Sequence, residues 1–443
     1  MWPLSAYTLN PAVFPVLLGG AALVAVAVVR PDFGLAAALA LAPLTNFELH
    51  SGGTFAKPFH IVLPMIAFAI LGYGAILGRG VRIRSVWAAP AAVGVFVVVA
   101  LVSAMHALQP SHSVTKLFLL ISAVTLFFAV LQVATDARRL KVIVGGAILG
   151  LLIAAAQGLE QRYAGLPGAI GFVTNGRFVA RVQGSFGHPN DYGGYLAFML
   201  PLAAGVAFSR AFSGRLRMLA LFATVAALPA LAFSYARGAM LALAVASLLW
   251  LAFARPRLAI VATAAAGILL FAFAPSALRD RFDPKAGQQD VPVRADIWGS
   301  AVDIYSAHPV LGVGVGNFPV AYAALPSTLA NASQRRLLNQ HGLLIPPHAQ
   351  NLYLNVLAEG GILGVAALTL LALAIVRTVA AGVRARAPDA RLVAGALGAS
   401  FVTVALHSIL DVTLLSELAF PFFGLLAVCV AFVALDRDER ATS

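Results

Sequence analysis

Apolar runs dominate this chain. They lie near residues 12–29, 34–47, 59–78, 86–106, 114–134, 142–158, 192–209, 216–234, 238–254, 258–274, 350–376, 392–410 and 414–435, with mostly short polar gaps between them. At about 1.5 Å per helical residue, most are long enough to cross a hydrocarbon layer about 30 Å thick. The pattern predicts an all-α polytopic membrane protein. The run at 34–47 is short and contains Pro43. Counting it gives about 13 spans with the N-terminus outside, and omitting it gives about 12 with both termini inside.

Two segments break the pattern, Leu159 to Asp191 and Pro275 to Pro347. The second is roughly 70 residues long, and loops of that size usually carry function. Within it, VRADIWGSAVDIYSAHP places Ile297, Trp298, Ala301, Ile304 and Tyr305 at helical spacing, which predicts an amphipathic helix over the mouth of the bundle. The chain then enters PPHAQNLYLNVLAEGGILG. At about 100° per residue, His348, Asn351, Asn355 and Glu359 fall in one stripe opposite Tyr353, Leu354, Leu357 and Leu368. Polar groups entering a membrane helix mark a pathway or a site, or else form a seam between helices.

Composition agrees with the runs. Hydrophobic residues make up 61% of the 443 and charged residues 11%. Mean hydropathy is +0.91, outside the range of an ordinary soluble domain. The net charge of +13 is concentrated in short turns. These hold Arg79, Arg82 and Arg84; Arg138, Arg139 and Lys141; Arg210, Arg215 and Arg217; Arg255 and Arg257; and Arg377, Arg384, Arg386 and Arg391. That distribution marks cytoplasmic turns and puts the two long segments on the opposite side. No aromatic residues interleave with the basic ones, which argues against nucleic acid as a partner. The single cysteine, Cys429, excludes an internal disulfide. The first apolar run lacks a basic leader and a cleavage site, so it is expected to be retained.

The long outer segments carry Arg162, Arg177, Arg181, Arg279, Arg281, Arg294, Arg335 and Arg336 on a face that should be poor in them. An anionic ligand or lipid headgroups would explain this, and arginine's planar fork suits phosphate. Arg237 sits at a hairpin between two apolar runs on the same side, where it needs an anionic partner or must snorkel to the interface. In RVQGSFGHPNDYGGYL, Asn190 or Asp191 is expected to cap a helix whose amide end favours an anion, with Arg181 just before it. His348 follows Pro346 and Pro347, which suit a helical first turn. Near that dipole end a neutral imidazole is favoured, the state a general base needs. Asn351 is placed to orient the ring or bind a sugar hydroxyl. No H-E-x-x-H and no close acidic pair in an early outer loop is present, so no metal and no cofactor are expected. The glycines of GVGVGNF shape a turn.

GSFGHPNDYGGYL, SYARGAMLAL, RADIW followed by HPVLGVGVGNF, and HAQNLYLNVLAEGGILG occur in that order around one large loop. Together they resemble the O-antigen ligase and polymerase superfamily of bacterial envelopes, over roughly residues 140–430. The resemblance implies a metal-independent glycosyltransferase at the periplasmic face of the inner membrane. It would move a polysaccharide from undecaprenyl diphosphate to a sugar hydroxyl of the lipid A core, with membrane lipids around it. It also implies His348 as the base and Arg237 and Arg294 as diphosphate ligands. Arg181, Asn190 and Asn351, read from their own local pattern, complete the expected substrate contacts. Many relatives read H-x-H-N; here the second position is Gln350. The expected organisation is an N-terminal bundle over 1–158, a ligase-type core over 159–435 including the loop 275–347, and a cytoplasmic tail over 436–443. An O-antigen polymerase or a protein O-oligosaccharyltransferase would use nearly the same residues. A transporter or flippase of lipid-linked glycans would show inverted repeats and paired broken helices, and neither is evident.

Overall fold

The computed structural model describes residues 13–44, 49–51, 54–56, 59–80, 86–165, 170–174, 177–254, 290–325, 345–414 and 416–442. The run at 258–274 and the arginines at 82, 84, 255, 257, 279, 281, 335 and 336 lie outside the described residues. The helices are α1 (Val13–Val29), α2 (Pro31–Leu41), α3 (Phe59–Ile76), α4 (Ala88–Met105), α5 (Pro110–Val133), α6 (Ala137–Ala164) and α7 (Pro189–Phe208). They continue with α8 (Gly214–Ser234), α9 (Arg237–Ala254), α10 (Asp290–Ala307), α11 (Phe318–Ala324), α12 (Leu352–Gly382), α13 (Pro388–His407) and α14 (Ala419–Thr442). Two antiparallel hairpins complete the described elements, β1 (Leu49–Ser51) with β2 (Thr54–Ala56) and β3 (Gly171–Thr174) with β4 (Arg177–Ala180).

The chain is an all-α polytopic membrane protein. Among the described residues, eight helices are long and apolar enough to cross a membrane: α3, α4, α5, α6, α8, α12, α13 and α14. Helices α1, α2 and α9 are shorter apolar helices. At 11 residues α2 is only about 16 Å long, so the run at 34–47 does not cross as one helix. It is instead wedged against α6. A Cβ on Gly146 would fall 2.1 Å from the Ala36 carbonyl oxygen, so only glycine permits that approach. One apolar core draws on α2, α5, α6, α7 and α14 alike, and α7 is buried along nearly its whole length. Helices α8 and α12 present Phe222, Val225 and Leu228, and Leu370, Leu373 and Val376, as exposed apolar faces suited to lipid. Helix α14 continues to Thr442, so the charged tail forms its last turns.

The bundle has two distinct ends. At one, Gln132 Nε2 donates to the Arg79 carbonyl (2.7 Å) and the Arg210 amide donates to Asp389 Oδ1 (2.7 Å), which gathers the arginine-rich turns. At the other, the mouth, Gln161 Nε2 donates to the Gly184 carbonyl (2.6 Å) and the Leu352 amide to the Ser408 carbonyl (2.8 Å).

Helix α12 is broken at the mouth. Gly361 has φ 59 and ψ −158, and a Cβ there would lie 2.4 Å from the Val310 carbonyl group. Such a conformation is open to glycine alone. The loop after α10 fills the break. Val313 and Gly314 amides donate to the Ala358 and Glu359 carbonyls (3.1 and 2.9 Å), and the Ile362 amide donates back to Pro309 (2.9 Å). Ser103 Oγ adds a 2.7 Å bond to the Glu359 carbonyl. The glycine-rich turn thus satisfies backbone groups that a broken helix would leave bare. Roughly 20 residues follow the break, enough for a full crossing of about 30 Å.

Candidate active site

His348 stands in the irregular segment just before α12. The helix starts at Leu352 with Asn351 as its N-cap, whose Oδ1 accepts from the Tyr353 and Leu354 amides (2.9 and 3.1 Å). The expectation of a first turn at Pro346 and Pro347 is therefore corrected, because a paired-proline segment followed by a strong cap delays the helix. A neutral ring still follows, on different ground. Burial is the main cause that lowers the pKa of His348 below its ordinary 6.5; Asp411 opposes this, and Lys116 and Arg294 lower it further. Its Nδ1 accepts the Gln350 amide (3.1 Å), so the neutral ring carries its proton on Nε2. Gln350 itself has φ 50.

His188 repeats this arrangement. It is the N-cap of α7, and its Nδ1 accepts the Asn190 amide (3.1 Å). The sequence expectation that Asn190 or Asp191 caps this helix is corrected: Pro189 takes the first helical position, which leaves the cap to the residue before it. Burial lowers the His188 pKa, Arg181 lowers it next, Asp411 raises it, and His348 and Arg294 lower it. The two histidines therefore share one electrostatic environment.

Arg181 is buried and already held. Its Nε donates to the Ser234 carbonyl (2.8 Å) and its Nη2 to Asn190 Oδ1 (2.7 Å). The guanidinium thus ties the exit of β4 to the end of α8 and the start of α7. This engages the Asn190 acceptor, leaving its amide donors for other contacts. Arg294, on α10, is half-buried and donates from Nη1 to the Leu410 carbonyl (2.9 Å), which brings the long loop onto the end of α13. Helix α10 buries the stripe of Ile297, Ala301 and Ile304 that its spacing predicts, while Trp298 and Tyr305 are half-buried and Val302 is exposed. Arg237 opens α9, beside Gly238, whose own neighbours are Leu410 and His407. The Arg294 guanidinium and the backbone at the start of α9, next to Arg237, therefore pack against the same short stretch at the end of α13.

That stretch holds a residue that the sequence reading passed over. Asp411 is buried, its Oδ1 accepts the Val412 amide (2.8 Å), and its Oδ2 lies 4.0 Å from His407 Nε2. Its charge acts on both His188 and His348. Lys116, on α5, adds a positive charge that acts on His348 as well. Among the described residues, the non-glycine positions with positive φ are Tyr235 and Gln350, and each stands two residues from a candidate site residue, Arg237 or His348. Strained backbone held at a site is a recognised sign of imposed geometry.

The polar stripe of α12 divides by role. Asn351, Asn355 and Glu359 are buried, whereas Tyr353 across the helix is exposed. Asn355 Oδ1 accepts the Ala349 amide (3.0 Å) and Glu359 Oε1 accepts the Phe318 amide (3.0 Å). Both groups accept backbone amides at the mouth, from Ala349 just before α12 and from Phe318 at the start of α11.

Residues 222–369 match a family model described as O-antigen ligase. The matched stretch contains Arg237, Arg294, His348 and Asn351, and stops short of Asp411. No curated protein matches the chain.

Proposed function

We propose that this multi-pass membrane protein is an O-antigen ligase, a membrane glycosyltransferase, a reading supported by the match of residues 222–369 to the family model of that description. It transfers O-antigen polysaccharide from undecaprenyl diphosphate to a sugar hydroxyl of the lipid A core at the periplasmic face of the bacterial inner membrane. One observation carries this reading: His348, Arg294 and Asp411 are electrostatic neighbours at the mouth, where the start of α9, which carries Arg237, packs on the same turn. An acceptor hydroxyl is a weak nucleophile, and its attack on the anomeric carbon needs a base on one side and positive charge on the departing diphosphate on the other.

In this reading His348 is the base. Uptake of the acceptor proton occurs at Nδ1 and releases the Gln350 amide, a cost of about 1 kcal/mol for one hydrogen bond. Arg237 and Arg294 hold the diphosphate, and the forked guanidinium suits its paired oxygens. Asp411 stabilises the imidazolium that forms. Arg181 and Asn190 fix the start of α7 beside His188, and Asn351 holds the start of α12. The chain's own arginines supply the positive charge, so no metal step is required.

The test is reconstitution. Purified protein in detergent should transfer glycan from undecaprenyl diphosphate to lipid A core with no gradient present. A polymerase would instead extend a second lipid-linked glycan, a protein O-oligosaccharyltransferase would modify polypeptide, and a transporter would leave every acceptor unmodified.

A further inference from the structure

Two buried side chains connect His348 to the loop after α10. Asn355 and Glu359 lie on one face of α12, each almost fully buried. Asn355 Oδ1 accepts the amide of Ala349, the residue that follows His348. Asn355 and Glu359 stand one turn apart on α12, and since the Asn355 oxygen is engaged by Ala349, its Nδ2 is the end that faces the carboxylate, which it favours electrostatically. Glu359 Oε1 accepts the amide of Phe318, the first residue of α11 (3.0 Å), next to the glycine-rich loop.

We propose that Asn355 and Glu359 are positioning residues that set the His348 ring, and that they do so in response to docking of the loop. The proposal rests on His348 being the base. The Asn355 bond fixes the peptide plane between His348 and Ala349, and the next residue, Gln350, turns its amide back onto the ring. Glu359 fixes which end of the Asn355 amide faces Ala349. A carboxylate can only accept, so the amide must turn its NH₂ toward it and its oxygen away. The same carboxylate is held by the loop that follows α10, the helix carrying Arg294. Displacing the loop would free Glu359 and loosen its hold on the Asn355 amide, whose orientation towards Ala349 would then rest on that one bond. The diphosphate ligand and the base are thus brought into place together.

The polarity of this relay gives it a specific test. Glu359→Gln keeps the size and can still accept the Phe318 amide, but it presents NH₂ to the NH₂ of Asn355. Asn355→Ala removes the link. In purified full-length protein each should lower kcat by about tenfold to a hundredfold, the range for a base displaced by about an ångström, with donor KM little changed. Glu359→Gln combined with Asn355→Asp restores a donor facing an acceptor and still leaves an oxygen for Ala349. That pair should recover most of the lost kcat. A packing role would give no such recovery, so a combined variant as slow as Glu359→Gln at matched thermal stability would overturn the proposal. In a His348→Ala background, Asn355→Ala should slow residual turnover no further, because a positioning residue has nothing left to position. A further tenfold loss there would also overturn it. Full turnover by His348→Ala alone would instead remove the reading of His348 as base.

Discussion

Replacing His348 by alanine tests the chemistry at its centre. General-base assistance is typically worth about 10² to 10⁴ in rate, or about 3 to 5 kcal/mol at 1.36 kcal/mol per tenfold. Breaking the Nδ1 bond to Gln350 costs about 1 kcal/mol, so proton uptake there still leaves most of that advantage. The effect should therefore exceed a hundredfold in kcat/KM, with membrane insertion intact. The pH profile identifies the cause. Burial lowers the His348 pKa, so the ring stays neutral to a lower pH than a free histidine, and kcat/KM should stay flat from neutral pH down past the ordinary 6.5 before it falls. The folded state disfavours the protonated forms of His188 and His348. Their contribution to stability is thus full above about pH 6.5 and declines as the pH falls through the lowered values, so thermal stability must be recorded alongside rate. The assay is initial-rate transfer from a lipid diphosphate donor in detergent. Near-normal turnover by His348→Ala, or an unchanged acid limb in that variant, would refute the reasoning.

Arg237→Lys and Arg294→Lys should each weaken donor affinity by about tenfold or more, because the ammonium keeps the charge but loses the fork, and binding of undecaprenyl diphosphate measures this. Alanine variants of matched stability should lose more, and unchanged affinity with unchanged turnover would make these arginines lipid-headgroup contacts. Activity should survive excess EDTA, since arginines supply the positive charge; loss under EDTA with recovery on adding Mg²⁺ would bring back a metal. In a Cys429→Ser background, Tyr163→Cys, which replaces an exposed mouth residue, should react with a membrane-impermeant maleimide in outer-membrane-permeabilised cells, whereas Arg215→Cys should not.

The fold was legible where periodicity was long. The apolar runs marked the described long helices, and Ile297, Ala301 and Ile304 gave away α10 because a helix lying on other protein must bury one stripe. Helical phase also grouped Asn351, Asn355 and Glu359 correctly, but phase says nothing about what a buried amide bonds to. Two of the three turned out to hold backbone amides from other segments. Helix starts were harder. Prolines invited a helix start with His348 inside it and a cap at Asn190 or Asp191, while the side-chain bonds chose Asn351 and His188 as caps. The break at Gly361 was hinted at by the Gly-Gly pair, yet its partner loop lies about 50 residues away, a distance that local pattern cannot bridge. Asp411 escaped for the same reason. A single carboxylate in a three-residue gap between apolar runs has no spacing to betray it, and only the folded chain carries it to the mouth.

The charges at the mouth imply one more behaviour. Burial, with Lys116 and Arg294, lowers the pKa of His348, so Arg294, the proposed diphosphate ligand, also helps to keep the ring neutral before the donor binds. When the donor binds, its negative charge offsets those cations at close range. The imidazolium is then less disfavoured, and the ring becomes a stronger base at the moment an acceptor proton must be taken. The sign of the shift is fixed: an added anion favours the charged form of histidine and raises its pKa. Because kcat/KM reports groups of the free enzyme and kcat those of the bound complex, the acid limb of kcat should lie at higher pH than that of kcat/KM. Arg294→Ala should narrow the separation from the other side, by raising the free-enzyme value and weakening the donor's hold. Acid limbs that coincide, or a kcat limb at lower pH, would mean that the diphosphate does not bind near His348, and the base would have to be sought elsewhere at the mouth.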